Sequence, residues 1–221
     1  MVSFKILQNL AQTAGLATRD NALGVDAVHA RIYDLAVNAF MSEVLTLGRM
    51  TRVVQAVHDG IADSNIPSHD KDVAGEARSQ REAYRGLCAA ATEGLAAAGL
   101  AHAQFCKFSG NHLSVELGNT LSQEILAYKQ LLDHITTKTD WHSHSRINLL
   151  QEHWFGQLLQ PVGKQGAKQA NGSAIPWSDV FFQSCGYEAK AENSGIQVNL
   201  MLLGLITSGA FAAIHASQTA A

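Results

Sequence analysis

Residues 25–61, VDAVHARIYDLAVNAFMSEVLTLGRMTRVVQAVHDGI, carry the most extended helical pattern in the chain. Apolar side chains follow the alternating three- and four-residue spacing of an amphipathic helix, and the pattern then resumes one residue out of phase. The first set is Val25, Val28, Ile32, Leu35 and Ala39, and the second is Phe40, Val44, Leu47, Val54, Val57 and Ile61. The spacing predicts one helix from about Asp26 to about Ile61, roughly 35 residues or 50 Å long. Helices of this length are typical of extended bundles.

The rest of the chain divides into further helices. Pro67, Pro161 and Pro176 each lie among turn-forming residues, where a helix has to stop. Further helical patterns occupy residues 1–16, 68–103, 117–135, 140–160 and 178–185. Gly15 is the expected end of the first helix, and residues 161–177 form a long loop before a C-terminal apolar helical segment. We therefore predict an all-α antiparallel bundle of six or seven helices, in a single domain covering residues 1–221.

One face of the predicted third helix carries only small side chains. Gly86, Ala90, Gly94 and Ala98 recur every four residues, so they lie along one side of a helix. A face without side-chain bulk lets a neighbouring backbone approach closely, as in membrane helix pairs. Glu93 and the charged first half of this helix favour a soluble, close-packed pair instead.

The composition is more apolar and less charged than that of an average soluble domain. Hydrophobic residues make up 47% of the chain and charged residues 16%, against about 25% charged in a typical domain. The additional apolar surface has three possible destinations: a large core, contacts between subunits, or a membrane. The net charge of -3, without any run of basic residues, argues against nucleic acid as a partner.

The cysteines and the N-terminus favour a reducing, cytoplasmic location. Cys88, Cys106 and Cys185 are an odd number at unrelated spacings, and none lies in a recognisable catalytic motif. Polar residues interrupt the first apolar segment, which therefore makes a poor secretion signal. We identify no catalytic residue, expect a non-enzymatic protein, and find no pattern that names a cofactor.

Histidines concentrate between residues 134 and 153. His142, His144 and His153 are the candidate metal ligands there, accompanied by His134 and by the carboxylates of Asp133, Asp140 and Glu152. The spacing argues against a site, because residues two apart on a helix point about 200° apart. The paired motifs of zinc proteases and di-iron bundles are missing as well. The alternative is an interhelical turn followed by a solvated helix face.

The aromatic residues and the remaining histidines have packing as their simplest explanation. Trp154 has the same phase as the core residues Leu150 and Leu158, so core packing is favoured over an aromatic ligand pocket. His29, His58 and His102 lie on or beside apolar helix faces. We expect them to be hydrogen-bonded packing residues.

The C-terminal segment from Ile196 to Ala216 is apolar or weakly polar nearly all round. No charged residue follows Glu192, and the segment is long enough to cross a bilayer. Inside it lie five polar residues, Gln197, Asn199, Thr207, Ser208 and His215, and no basic residue follows it. These features predict that protein covers the segment, within the bundle or between subunits, and that its polar groups find hydrogen-bond partners there.

These observations favour a structural protein that assembles with copies of itself through apolar and small-residue helix faces. Two alternatives belong to other classes. One is a metal- or cofactor-binding helical enzyme that uses the histidines of residues 134–153. The other is a membrane-active or membrane-anchored protein that inserts residues 196–216.

Overall fold

The structure is a computed structural model that describes residues 4–20, 24–64, 73–108, 115–139 and 192–219. Within these ranges the chain forms helices and no strands. The helices are α1 (Phe4–Arg19), α2 (Gly24–Met41), α3 (Leu47–Asp63), α4 (Val73–Phe108), α5 (Val115–Thr136) and α6 (Glu192–Thr219). The predicted all-α bundle is confirmed. The single-domain assignment stays a prediction.

Helix α4 lies at the centre of the bundle and contacts the other five described helices. It runs antiparallel to α3, because Met50 lies near Gly94 while the ring of His58 packs beside Tyr84. It also packs against α5, where the hydroxyl of Tyr128 donates a hydrogen bond of 2.8 Å to the carbonyl of Ala91. Buried leucines, alanines and aromatic rings from all six helices form one continuous core.

The predicted helix from Asp26 to Ile61 is wrong, because two separate helices, α2 and α3, take its place. The helix of comparable length is instead α4, with 36 residues. Thr46 ends the break between α2 and α3: its backbone is extended (φ -95°, ψ 158°), and its side chain accepts a hydrogen bond from the backbone N–H of Arg49. This is the standard arrangement at a helix N-cap. The break follows the one-residue phase shift in the apolar pattern.

Arg49 stabilises this corner from within. Its buried guanidinium forms an ion pair of 2.8 Å with Glu43 and donates to the carbonyl of Ala39 at 2.7 Å and to the hydroxyl of Ser42 at 2.8 Å. These three acceptors belong to the end of α2 and the residues just beyond it. The Ala39 carbonyl is one of those that the end of α2 leaves without a helical partner, and Arg49, at the start of α3, bonds it.

The predicted end of the first helix at Gly15 is also wrong, since α1 continues to Arg19. Gly15 instead lies where α1 crosses α3, and a Cβ atom there would lie 2.9 Å from the carbonyl oxygen of Gly60. A Cβ atom on Gly60 would in turn overlap the carbonyl oxygen of Ala11. These two glycines permit a backbone-to-backbone crossing.

The small-residue face of the third predicted helix, now α4, packs inside the molecule. Gly86, Ala90, Gly94 and Ala98 are all buried. A Cβ atom on Gly86 would overlap the carbonyl oxygen of His29 in α2, so two helix backbones meet there as predicted. Gly94 instead makes room for side chains, among them the thioether of Met50.

The predicted helices in residues 140–160 and 178–185, and the loop of residues 161–177, lie outside the described residues. The predicted start of the third helix near Ser68 lies outside them too. The helix predicted over residues 117–135 is confirmed as α5, Val115–Thr136.

Candidate functional site

The candidate metal ligands His142, His144 and His153 lie outside the described residues, as do Asp140 and Glu152. The metal hypothesis at these positions therefore stays untested. Within the described ranges, no group of three or more His, Cys, Asp or Glu side chains is placed to hold a metal ion.

His134, the one described histidine of the predicted cluster, packs against a histidine that the sequence did not connect with it. Its ring centroid lies 5.2 Å from that of His58, which also packs beside Tyr84 at 5.7 Å. His58 Nδ1 lies 3.2 Å from a carboxylate oxygen of Asp59. His58 was expected to be a hydrogen-bonded packing residue, and Nδ1 does have a partner. Its buried Nε2 has no hydrogen-bond partner in the described structure.

The two histidines line a groove of about 530 Å³ between α3, α4 and α5, which we call the basic groove. It is lined by His58, Ala62, Ala77, Gln80, Arg81, Tyr84, His134 and Lys138. None of these described lining residues is acidic, and six of the eight carry a nitrogen or hydroxyl group that can donate a hydrogen bond. The groove therefore offers a donor-rich surface with positive charge.

A second polar cluster joins α2, α4 and α6. Tyr33 donates a hydrogen bond of 2.7 Å to the buried carboxylate of Glu93, and His215 Nδ1 lies 3.2 Å from the Tyr33 hydroxyl and 3.8 Å from Glu93. Burial and the hydrogen bond to Glu93 raise the pKa of Tyr33 well above its usual range, so its hydroxyl remains a donor. The cluster fixes α6 to the bundle.

The other two histidines expected to be packing residues, His29 and His102, lie elsewhere in the bundle. His29 Nδ1 lies 3.8 Å from the carboxylate of Glu82, and burial lowers the pKa of His102, which favours its neutral form. His102 and Glu124 border a cavity of about 20 Å³, enough for about one water molecule. Burial likewise raises the pKa of Glu124. The space suits packing and a single water better than a substrate.

Cys88 is buried in the core, where burial raises the pKa of its thiol to about 12. A thiol of this pKa is protonated at neutral pH and is a poor nucleophile. Cys185 lies outside the described residues.

Helix α6 has two unlike sides. One side packs into the core, where Phe211 meets the ring of Phe40 edge-on at 5.4 Å. The opposite side is exposed and apolar, and we call it the α6 outer face. It consists of Met201, Leu205, Gly209, Ala212, Ala213 and Ala216.

Two of the polar groups predicted to find partners between helices do so. The hydroxyl of Ser208 accepts a hydrogen bond of 2.8 Å from the backbone N–H of Leu45, and His215 reaches Tyr33. Residues 198–217 are long and apolar enough to cross a membrane, with a mean hydropathy of 1.7, and 22% of this stretch is buried. Coverage by the described residues is thus confined to one side of the helix.

Comparison of the chain with models of protein families, with curated proteins and with solved structures gave no match.

Proposed function

We propose that the protein is a non-enzymatic structural protein that associates with copies of itself through the α6 outer face. The observation that carries this proposal is the exposure of large apolar side chains on a helix that has no charged residue after Glu192. Met201 is 53% exposed and Leu205 41%. Single exposed apolar residues are ordinary, but a contiguous apolar stripe is characteristic of an interaction site.

The small-residue face of α4 does not serve this role, because Gly86 and Gly94 are already in contact with α2, α3 and α5. Among the two surfaces that the sequence suggested for assembly, the outer face of α6 is the one left accessible in the described structure. We therefore propose the α6 outer face alone as the surface of self-association.

The composition of the outer face favours a second copy over lipid. Four of its six residues are Gly or Ala, which bury little apolar area in a bilayer but allow two helices to approach closely. No charged residue occurs after Glu192, so a twofold contact of the same face with itself brings no like charges together.

Light scattering across a range of protein concentrations tests the proposal. Replacing Leu205 by Lys places a charge in the contact, so the variant should be monomeric where the parent protein is a dimer or larger. The matched control is Leu126→Lys, since Leu126 is a similarly exposed leucine (51%) on α5. The control should assemble like the parent protein.

A parent protein that is monomeric at all concentrations, or equal assembly of the Leu205→Lys and Leu126→Lys variants, would contradict the proposal. Flotation with liposomes addresses the membrane alternative. Flotation of the parent protein that Leu205→Lys abolishes would identify the outer face as a membrane-binding surface instead.

A further inference from the structure

We propose that the basic groove between α3, α4 and α5 binds a small phosphorylated anion. This inference is independent of self-association, because it concerns a surface formed by other helices. The groove has a volume of about 530 Å³, within the usual range of small-molecule sites.

The described lining residues of the groove include basic but no acidic side chains, in a chain that is acidic as a whole. The protein has a net charge of -3, yet the groove collects Arg81, Lys138 and two imidazoles without a carboxylate among its described lining residues. A concave surface lined by one sign of charge raises the local concentration of ions of the opposite sign. The ligand should therefore be an anion.

The donor types favour a phosphoryl group over a single carboxylate. The planar guanidinium of Arg81 can bond two oxygens of one phosphate, and the Lys138 ammonium can act on a further oxygen as a point charge. Tyr84 adds a hydroxyl on the same helix as Arg81. A phosphoryl group has three oxygens and up to two negative charges, so it can use more of these donors than one carboxylate can.

His58 supplies the second, independent observation. Its Nε2 atom is buried and without a hydrogen-bond partner in the described structure, while Nδ1 faces the carboxylate of Asp59. A buried polar atom in this situation lowers stability until something pairs with it. His58 also lines the groove, so a ligand that reaches its ring there would supply the missing partner.

Isothermal titration calorimetry of the full-length chain with pyrophosphate and with inorganic phosphate tests the inference. We expect saturable binding of one pyrophosphate per chain. The Arg81→Gln and Lys138→Gln variants should each bind about tenfold more weakly, because each loses a charge-assisted contact. Arg78→Gln is the matched control: Arg78 is exposed on the same helix but does not line the groove, and this variant should bind like the parent protein.

Three results would overturn the inference. One is the absence of saturable binding up to about 10 mM, well above a weak dissociation constant of about 1 mM. Another is equal weakening by Arg78→Gln and Arg81→Gln, which would indicate attraction by net charge alone. The third is a protein that does not bind pyrophosphate but binds one zinc ion per chain, and loses the zinc when His58 and His134 are both replaced by Ala. The groove would then be a metal site.

Discussion

Arg49 shows how a single buried charge can fix the course of the chain. Its guanidinium bonds Glu43, Ala39 and Ser42, all from the end of α2 or the turn that follows. Replacing Arg49 by Ala removes these three hydrogen bonds together with the packing of a buried side chain. We expect the free energy of unfolding to fall by about 2–4 kcal/mol, measured by urea denaturation.

Arg52→Ala is the control for this prediction, because Arg52 is exposed on the same helix. Its effect should stay below about 0.5 kcal/mol, as is usual for surface positions. Equal effects of the two substitutions would show that the corner does not depend on Arg49.

The Tyr33 hydroxyl should contribute to stability through Glu93. Tyr33→Phe removes the donor to a buried carboxylate, so the free energy of unfolding should fall by about 1–2 kcal/mol. A double-mutant cycle with Glu93→Gln isolates the pair, and we expect a coupling energy of about 1 kcal/mol. A coupling energy of zero would mean that the two side chains are neighbours without a shared interaction.

The Cys88 thiol should be chemically inert in the folded protein. Its pKa of about 12 lies above the usual 8.5 or so of an unfolded chain. The stability contributed by the neutral thiol is therefore complete below about pH 8.5 and is lost as the pH rises towards 12.

In a variant with Cys106 and Cys185 replaced by Ala, a thiol reagent at pH 8 should label Cys88 only after denaturant is added. Rapid labelling of the folded protein would contradict its burial.

At the scale of the helices, glycine positions decide which pairs approach closely. A Cβ atom on Gly86 would overlap the backbone of α2, whereas a Cβ atom on Gly209 would meet nothing within 4 Å. Gly86→Ala should therefore destabilise the protein by about 1–3 kcal/mol. Gly209→Ala should stabilise it by up to about 1 kcal/mol, because alanine is the better helix former.

Thermal or chemical unfolding of the two glycine variants provides the measurement. Both substitutions add one methyl group to a helix, so intrinsic propensity favours both equally and the difference reports the close contact. If Gly86→Ala were as stabilising as Gly209→Ala, the two helix backbones would not touch.

Helix α6 also meets the corner between α2 and α3 at close range. A Cβ atom on Gly204 would lie 2.8 Å from a methyl carbon of Val44 and 2.9 Å from one of Thr46. The hydrogen bond from Leu45 to Ser208 lies one helical turn further along α6. Helix α6 therefore packs against the turn between α2 and α3, the same turn that Arg49 stabilises. The position of α6 thus depends on the break between α2 and α3.

For the molecule as a whole, the C-terminal helix is a part of the core and not an appendage. Leu203 and Phe211 are buried, and Phe211 covers Phe40 of α2. A chain ending before Gly195 would expose these contacts, so we expect it to aggregate or to lose cooperative unfolding. Size-exclusion chromatography and thermal unfolding measure this. A folded, monodisperse truncated chain would show that α6 is dispensable, as a membrane anchor would be.

The sequence by itself determined the fold class and the position of several helices. Apolar spacing of three and four residues follows from the geometry of a single helix, so it located α1 and α5 without reference to any neighbour. The one-residue phase shift at Phe40 was the local sign of the break that the prediction of a single helix from Asp26 to Ile61 passed over.

Only the tertiary structure decided which faces meet. Some contacts join residues that lie far apart in the chain. His58 packs against His134, and Tyr33 contacts Glu93 and His215. No periodic pattern in the sequence encodes such contacts. The sequence of α6 is apolar nearly all round, so it does not show which side of the helix is covered. In the structure Leu45 bonds Ser208 and Phe40 packs against Phe211. Met201 and Leu205, on the other side, stay exposed. Local spacing specifies a helix, whereas contacts between helices depend on how their side chains and backbones fit together in three dimensions.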